Sequence, residues 1–361
     1  MAAELVLTLR EGFPYTEVHG VIGDCLDRCD VKEHGRIHEL EPHLLSFVKE
    51  RVMVSKVSNV IRNLKPKLVF ITGVSSFHEK IATFCKANDI KVHLFAPPHF
   101  NGWTASQKAW VKGCAEKVIG IYPGEEAAFS EAGIDFCWAG FPALHRLSQV
   151  KLRKEHICIN ESSSIITFLP GSDKRDLKRS MKKFSALAGE LRSRADYLRF
   201  IVAAPAGFSL SKLSNLLGPI EEMSDGFAKW QGLEIAENMR HEMIFLANMT
   251  VSAHELGVLE SLMLGTPAVY VAQSSKKKAG LLAHLHSIGV IPEIGHHDDI
   301  AGMANHIDVM IRDGEERQRF MEGMEAIYRH FAFFDQRVAL DAHTPIFGRR
   351  GISRKARSGS R

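Results

Sequence analysis

Three short stretches carry residues whose types and spacing could do chemistry. The first, Thr167-Phe-Leu-Pro-Gly-Ser-Asp-Lys-Arg-Asp176, reads as a buried strand, a Pro-Gly-Ser turn and the start of a charged helix. Free backbone N–H groups at such a helix start stabilise an anion. Gly171, Ser172, Lys174 and Arg175 could together hold a diphosphate, with Lys178 and Arg179 close behind. An ordinary strand-to-helix turn with a solvated basic face fits the same residues. Asp173 stands where a cation would help more, and at ~4 Å and an effective dielectric near 20 such a reversal is worth several kcal/mol against an anion. The second stretch, Ser252–Ala272, ends a strand and opens a helix at His254 and Glu255, with Glu260 about one and a half turns in. A carboxylate there can accept both hydroxyls of a ribose while the helix start faces phosphate. A solvent-facing glutamate on a crossover helix fits equally well.

The third stretch, Ala96–Trp110, follows a strand with Pro-Pro, an Asn-Gly turn and an indole. His99, Asn101 and Trp103 suit contact with a sugar or an acyl chain, and a turn whose Trp103 caps a core is the alternative. Cys25, Cys29, His34 and His38 are zinc-ligand types, but their central gap is far shorter than a finger's and the two cysteines fit one packed helix face. No metal and no cofactor is expected. The run from His296 to Asp299 reads as a helix N-cap cluster.

The elements that must position these residues alternate. Apolar runs at 68–72, 91–96, 117–122 and 135–139 form one strand series, and 164–169, 198–204, 232–236, 248–252 and 267–272 form a second. Helical periodicity fills 44–63, 78–88, 104–114, 124–132, 174–193, 238–246, 254–264, 278–288, 298–312 and 314–331. Strands separated by helices mean parallel sheets. The polar stretch at 148–163 is the expected hinge. The first series opens with a helix (Ala2–Phe13) leading into the strand Glu17–Gly23, so a first strand is missing from the pattern.

Bulk properties narrow the function. A chain of 361 residues favours two domains, and 45% apolar with 24% charged residues is ordinary for a globular protein. Of the formal charge of +4, six cations lie in the tail Arg349–Arg361, which leaves the body near −2 and without a nucleic-acid footprint. That tail could touch anionic lipid, or simply be a solvated end. The N-terminus does not read as a signal peptide, and no stretch approaches the roughly 18 apolar residues of a membrane span. Cys85, Cys137 and Cys158 sit in apolar runs, as reduced core thiols do in a cytosolic protein.

Taken together, these stretches resemble lipid-A-disaccharide synthase, a GT-B glycosyltransferase family. His93–Trp103 and Lys117–Pro142 resemble its His-Tyr-Val-Ser-Pro…Trp-Ala-Trp loop and the Phe-Pro-Phe-Glu and Gly-His-Pro motifs that follow, with Pro123 and Glu125 in step. Phe168–Arg179 resembles its Leu-Leu-Pro-Gly-Ser-Arg turn, and Leu259–Val271 its Leu-Glu-Ala-Ala-Leu-Leu-Gly-Thr-Pro helix end. The resemblance implies an α/β GT-B fold of two Rossmann-like doubly wound domains with the active cleft between them. It divides the chain into an acceptor-side domain at 1–150, a nucleotide-sugar domain at 160–312, and a C-terminal helix and basic tail at 313–361. It implies transfer of an acylated glucosamine-type sugar from a UDP-sugar to a glycolipid acceptor, on the cytoplasmic side and peripheral to the inner membrane through 349–361. A homodimer is admitted as an oligomeric state. The sequence departs from the family at chemical positions. Its Ile-Asp-Ala-Pro-Asp-Phe-Asn reads Thr72–His78 here, without either acid, and its opening Gly-Glu-x-Ser-Gly-Asp segment has no counterpart. His78 and Glu79 are then the nearest replacements for a catalytic base, or else plain helix-start residues. The alternative function is a catalytically degenerate GT-B scaffold that binds a nucleotide, lipid or partner protein without turnover.

Overall fold

The computed structural model describes residues 5–7, 9–10, 13–22, 31–36, 46–141, 147, 164–171, 174–205, 207–223, 226–271, 280–289, 291, 299–322, 324 and 327. The hinge at 148–163, Ser172, Asp173, Cys25, Cys29, His38, Cys158, His296 to Asp298 and the basic tail lie outside them. The chain divides into two compact units, Met1–Ala143 with Phe333–Arg361, and Leu144–Ala332.

The first unit holds β1 (His19–Ile22), β2 (Lys32–Arg36), α1 (Ser46–Leu64), β3 (Leu68–Ile71), α2 (Ser76–Ala87), β4 (Lys91–Phe95), α3 (Ala105–Cys114), β5 (Lys117–Gly120), α4 (Glu126–Glu131) and β6 (Phe136–Trp138). Strands β3 to β6 form a parallel sheet in chain order, each joined to the next by a helix. Both faces of this sheet are covered, which is why its strands read as near-continuous apolar runs. Ile81, Ala82, Cys85, Trp110 and Val111 from α2 and α3 pack on one face. Leu5, Leu9 and Phe13 cover Phe95, Ile119 and Ala139 on the other. Thr104 and Gln107 start α3 with a reciprocal capping box, at 3.2 and 2.7 Å.

Strands β1 and β2 pair in parallel as a separate two-stranded sheet, and β3 lies at an edge of its own sheet. Among the described residues no strand joins the two. Strand β2, Lys-Glu-His-Gly-Arg, has no apolar run and was not expected from the sequence. His34, one of the zinc-type residues, instead stacks on His19 across this pair, with ring centroids 5.3 Å apart. Among the described residues no three metal-capable side chains gather.

The second unit holds β7 (Ser164–Leu169), α5 (Lys174–Arg192), β8 (Leu198–Ala203), α6 (Leu210–Leu217), β9 (Glu221–Glu222), β10 (Phe227–Trp230), β11 (Leu233–Ala236), α7 (Arg240–Leu246), β12 (Met249–Ser252), α8 (Glu255–Met263), β13 (Ala268–Tyr270), α9 (Gly280–Ser287), α10 (Ile300–Arg312) and α11 (Gly314–Glu322). Its sheet runs β13-β12-β7-β8-β11-β10-β9. From β7 the chain steps outward to β8 and β11, then returns across to β12 and β13. The topological switch point therefore lies between β7 and β12, and open α/β sheets bind ligands at the carboxyl ends of the strands there. Phe168 anchors the core beneath, stacked on Phe184 with centroids 4.7 Å apart.

The expectation of purely parallel pairing is corrected at one edge. β10 and β11 form an antiparallel hairpin, with Trp230 opposite Leu233, and β9 extends it. Gln231 and Gly232 turn the chain with φ of 46° and 79°, the two left-handed residues that a two-residue hairpin turn demands. Gln-Gly signals such a turn far more weakly than Asn-Gly, so the run at 232–236 read as a strand reached by a crossover. The short helix α6 also escaped the sequence reading. Ser209 caps it, accepting from the Lys212 amide at 3.3 Å.

Candidate functional site

In the second unit the switch point gathers three of the expected residues. Pro170 and Gly171 follow β7, while His254 follows β12 and caps α8. The His254 Nδ1 accepts from the Gly257 amide at 2.9 Å, so its proton sits on Nε2, toward the Pro170 carbonyl. Burial pushes this imidazole down to about 4, helped by the Arg240 charge, so it is neutral at physiological pH. Gly257 is needed for close approach, because a Cβ there would stand 2.4 Å from Ser252 Oγ and 2.8 Å from His254 Cε1.

Glu260 lies one turn further along α8. The Arg240 Nε and Nη2 reach its Oε2 at 2.8 and 2.7 Å. Arg240 Nη2 also stands 3.3 Å from His254 Nε2, so the guanidinium ties the helix start to the carboxylate. The sequence reading missed Arg240, which opens a short helix in a run with no motif. Glu255 does not join this group. Its Oε1 accepts from the Leu281 and Leu282 amides at 2.9 and 3.1 Å, capping the start of α9. Lys174 and Arg175 are exposed in the first turn of α5.

In the first unit the expected residues line the carboxyl ends of β3, β4 and β5. After β3, the His78 Nδ1 takes the Ser75 hydroxyl at 2.7 Å and its amide at 3.2 Å, so His78 serves the start of α2. Burial lowers its pKa. A Cβ on Gly73 would stand 2.5 Å from His78 Cε1, so the imidazole fills the room that an acid at position 73 would need. Ser76 donates to Glu50 of α1 at 3.0 and 3.1 Å. Lys80 also holds that carboxylate and keeps it below the usual range. Glu79 sits in the first turn of α2.

After β4, Asn101 is exposed in a 3-10 turn, but Trp103 points inward. Its indole packs with Phe100 and Phe129, and its N–H donates to the Pro98 carbonyl at 2.8 Å. His99 faces Glu125, which follows β5, with Nε2 3.6 Å from Oε1. Glu125 is 3% exposed and accepts from the Phe100 amide at 2.7 Å. Desolvation pushes its carboxyl up to about 7, against that hydrogen bond. Gln107 donates to the Val74 carbonyl at 2.9 Å, which fixes the β4 loop beside the β3 loop.

The description lipid-A-disaccharide synthetase matches residues 1–277, three quarters of the chain. The chain belongs to the lipid-A-disaccharide synthetase family. Among curated relatives, the lipid-A-disaccharide synthase of Syntrophus aciditrophicus is 23% identical over 228 residues, 62% of this chain and 57% of that protein. The chain's match thus spans little more than half of that relative. Lipid-A-disaccharide synthase 1 of Legionella pneumophila is 22% identical over 286 residues, 76% of this chain and 71% of its own. Among solved structures, Staphylococcus aureus MnaA in complex with UDP superposes with a TM-score of 0.64 at 12% identity, covering 95% of this chain and 91% of its own. The Neisseria meningitidis UDP-GlcNAc 2-epimerase bound to UDP-GlcNAc gives 0.61 at 12% identity, covering 95% and 96%. These likenesses show the fold, which is α/β of the GT-B type. The matched span of this synthetase-family chain contains Gly171, Arg240, His254 and Glu260 in one unit and His78, His99 and Glu125 in the other. No helix among the described residues is long and apolar enough to cross a membrane.

Proposed function

We propose that this synthetase-family chain is a glycosyltransferase of lipid A-type biosynthesis. It takes an acylated glucosamine-type sugar from a UDP-sugar and passes it to a glycolipid acceptor. One observation carries this reading: Arg240 holds Glu260 one turn from a helix start capped by a neutral His254, at the sheet's switch point. Both guanidinium contacts fall on Oε2, which leaves the ribose hydroxyls to Oε1. The diphosphate is assigned to the Gly171 turn, with Ser172, Lys174 and Arg175, where backbone N–H groups and cations favour an anion. A neutral histidine suits that place, since it neither repels the sugar nor competes for phosphate. Glu255 is assigned to holding α9 in register rather than to the nucleotide. The acceptor is assigned to the carboxyl-end loops of the first unit, with His99 and Asn101 exposed enough to meet a sugar. Anionic lipid contact is assigned to the 349–361 tail.

The loop at the end of β3 favours a second reading. Thr72 to Ser75 carries no acid, and His78 fills the space at Gly73, as a scaffold that binds a nucleotide without turnover would allow. Incubation with UDP-diacylglucosamine and its monosaccharide acceptor separates the two. The first reading expects a disaccharide product whose formation falls in Glu260→Ala chiefly through a raised donor KM. UDP binding without product supports the scaffold, and no UDP binding overturns both.

A further inference from the structure

We propose that His99 and Glu125 form the general-base dyad of the transfer, taking the place of the acids absent from Thr72–Ser76. This rests on the glycosyltransferase reading above. The two residues stand behind adjacent parallel strands, β4 and β5, at the end of the sheet where open α/β folds bind ligands. His99 Nε2 lies 3.6 Å from Glu125 Oε1, a separation that catalytic pairs often show before substrate tightens them. The Phe100 amide, donating to that same oxygen at 2.7 Å, fixes the carboxylate from behind. The Tyr122 ring meets the His99 ring edge-on, with centroids 5.8 Å apart, and limits its rotation. Burial is graded as a dyad requires, with 10% of the imidazole exposed and only 3% of the carboxylate.

The chemistry follows from that order. With Nε2–H turned to the carboxylate, Nδ1 is the nitrogen that takes the acceptor hydroxyl's proton. The acceptor oxygen then bonds to C1 of the donor sugar, the C1–O bond to the diphosphate breaks, and UDP leaves with the electron pair. Glu125 stabilises the imidazolium until its proton passes to water. His78 is the weaker candidate. Its Nδ1 serves Ser75, and burial lowers its pKa with no carboxylate to oppose the shift. The other charged groups near the dyad are Glu126, which raises the Glu125 value, and Lys108, whose ammonium lies 4.2 Å from the centre of the Phe100 ring.

The test has one arm without turnover and one with it. Imidazole NMR titration of the full chain should show the His99 midpoint falling by about one pH unit in Glu125→Gln, as expected when an opposing charge is lost. An unchanged midpoint overturns the pairing. With UDP-diacylglucosamine and its monosaccharide acceptor, His99→Ala should lower kcat by about 10²–10⁴-fold, with UDP binding intact. Glu125→Gln should lower kcat less and shift the acidic limb of the pH–rate profile by the same interval as the NMR midpoint. A kcat that falls in His78→Ala and not in His99→Ala overturns the assignment, as does a wild type that binds UDP without turnover. Loss of UDP binding in the wild type is instead a failure of the glycosyltransferase reading.

Discussion

Replacing Glu260 with glutamine separates a nucleotide contact from a structural ion pair. In the unliganded protein, Arg240 and Glu260 are 17% and 26% exposed, so loss of their pairing costs only about 1 kcal/mol. Hydrogen bonds from ribose hydroxyls to a charged acceptor are worth about 1.5–3 kcal/mol, or roughly ten- to hundredfold in Kd. At UDP a hundredfold above the wild-type Kd, binding stabilises the wild type by about 2.7 kcal/mol. A variant weakened tenfold gains about 1.4 kcal/mol from the same UDP, and one weakened a hundredfold about 0.4 kcal/mol. At about 2–4 °C per kcal/mol for a unit of this size, the wild-type shift is about 5–11 °C and the variant's about 1–6 °C. Thermal denaturation with and without UDP, each protein referred to its own unliganded Tm, reads this directly. A variant with a lowered unliganded Tm but the full wild-type shift would refute the ribose contact and leave Glu260 as a partner for Arg240 alone.

Three further outcomes follow from packing and protonation. Gly257→Ala drives a methyl into Ser252 Oγ and the His254 ring, so urea unfolding should show a loss of about 1–3 kcal/mol, and an unchanged midpoint would contradict the close approach. Gly73→Asp restores an acid but evicts His78 from the space it fills, so steady-state assays should show no gain in turnover, and a gain would mean that position 73 still houses the base. The folded value of Glu125, about 7, exceeds the ordinary 4.5. The native state therefore keeps a proton that the unfolded chain releases, and stability falls as pH rises from about 4.5 to 7, by up to about 3 kcal/mol. Glu125→Gln should flatten that segment of the stability–pH curve, and an identical slope would contradict the buried neutral acid.

The two parallel series were legible because both faces of each sheet are covered, which writes strands as apolar runs and crossovers as amphipathic helices. The predicted runs at 68–72, 91–96 and 164–169 became β3, β4 and β7 within a residue at either end. Elements that depend on a partner were not legible. The polar strand β2 exists by pairing with β1, and the β10–β11 hairpin turns on the left-handed Gln231 and Gly232 rather than on a strong turn signal. The site divides in the same way. His254 and Glu260 follow recognisable motifs, so spacing alone drew attention to them. Arg240 carries no motif and acquires meaning only where the fold brings α7 beside α8. Glu125 could be read as a motif position, but its burial and its approach to His99 are products of adjacent strand ends. Trp103 shows the converse, since an indole in a polar loop can turn into the core as readily as toward a ligand.

The central claim, that this chain transfers a sugar, is tested most directly by quantifying disaccharide by mass spectrometry after the wild-type protein meets UDP-diacylglucosamine and its monosaccharide acceptor, with released UDP measured in the same sample. The account predicts the two products in equal amounts, both abolished by omitting the acceptor. UDP bound at saturation with neither product formed would contradict it.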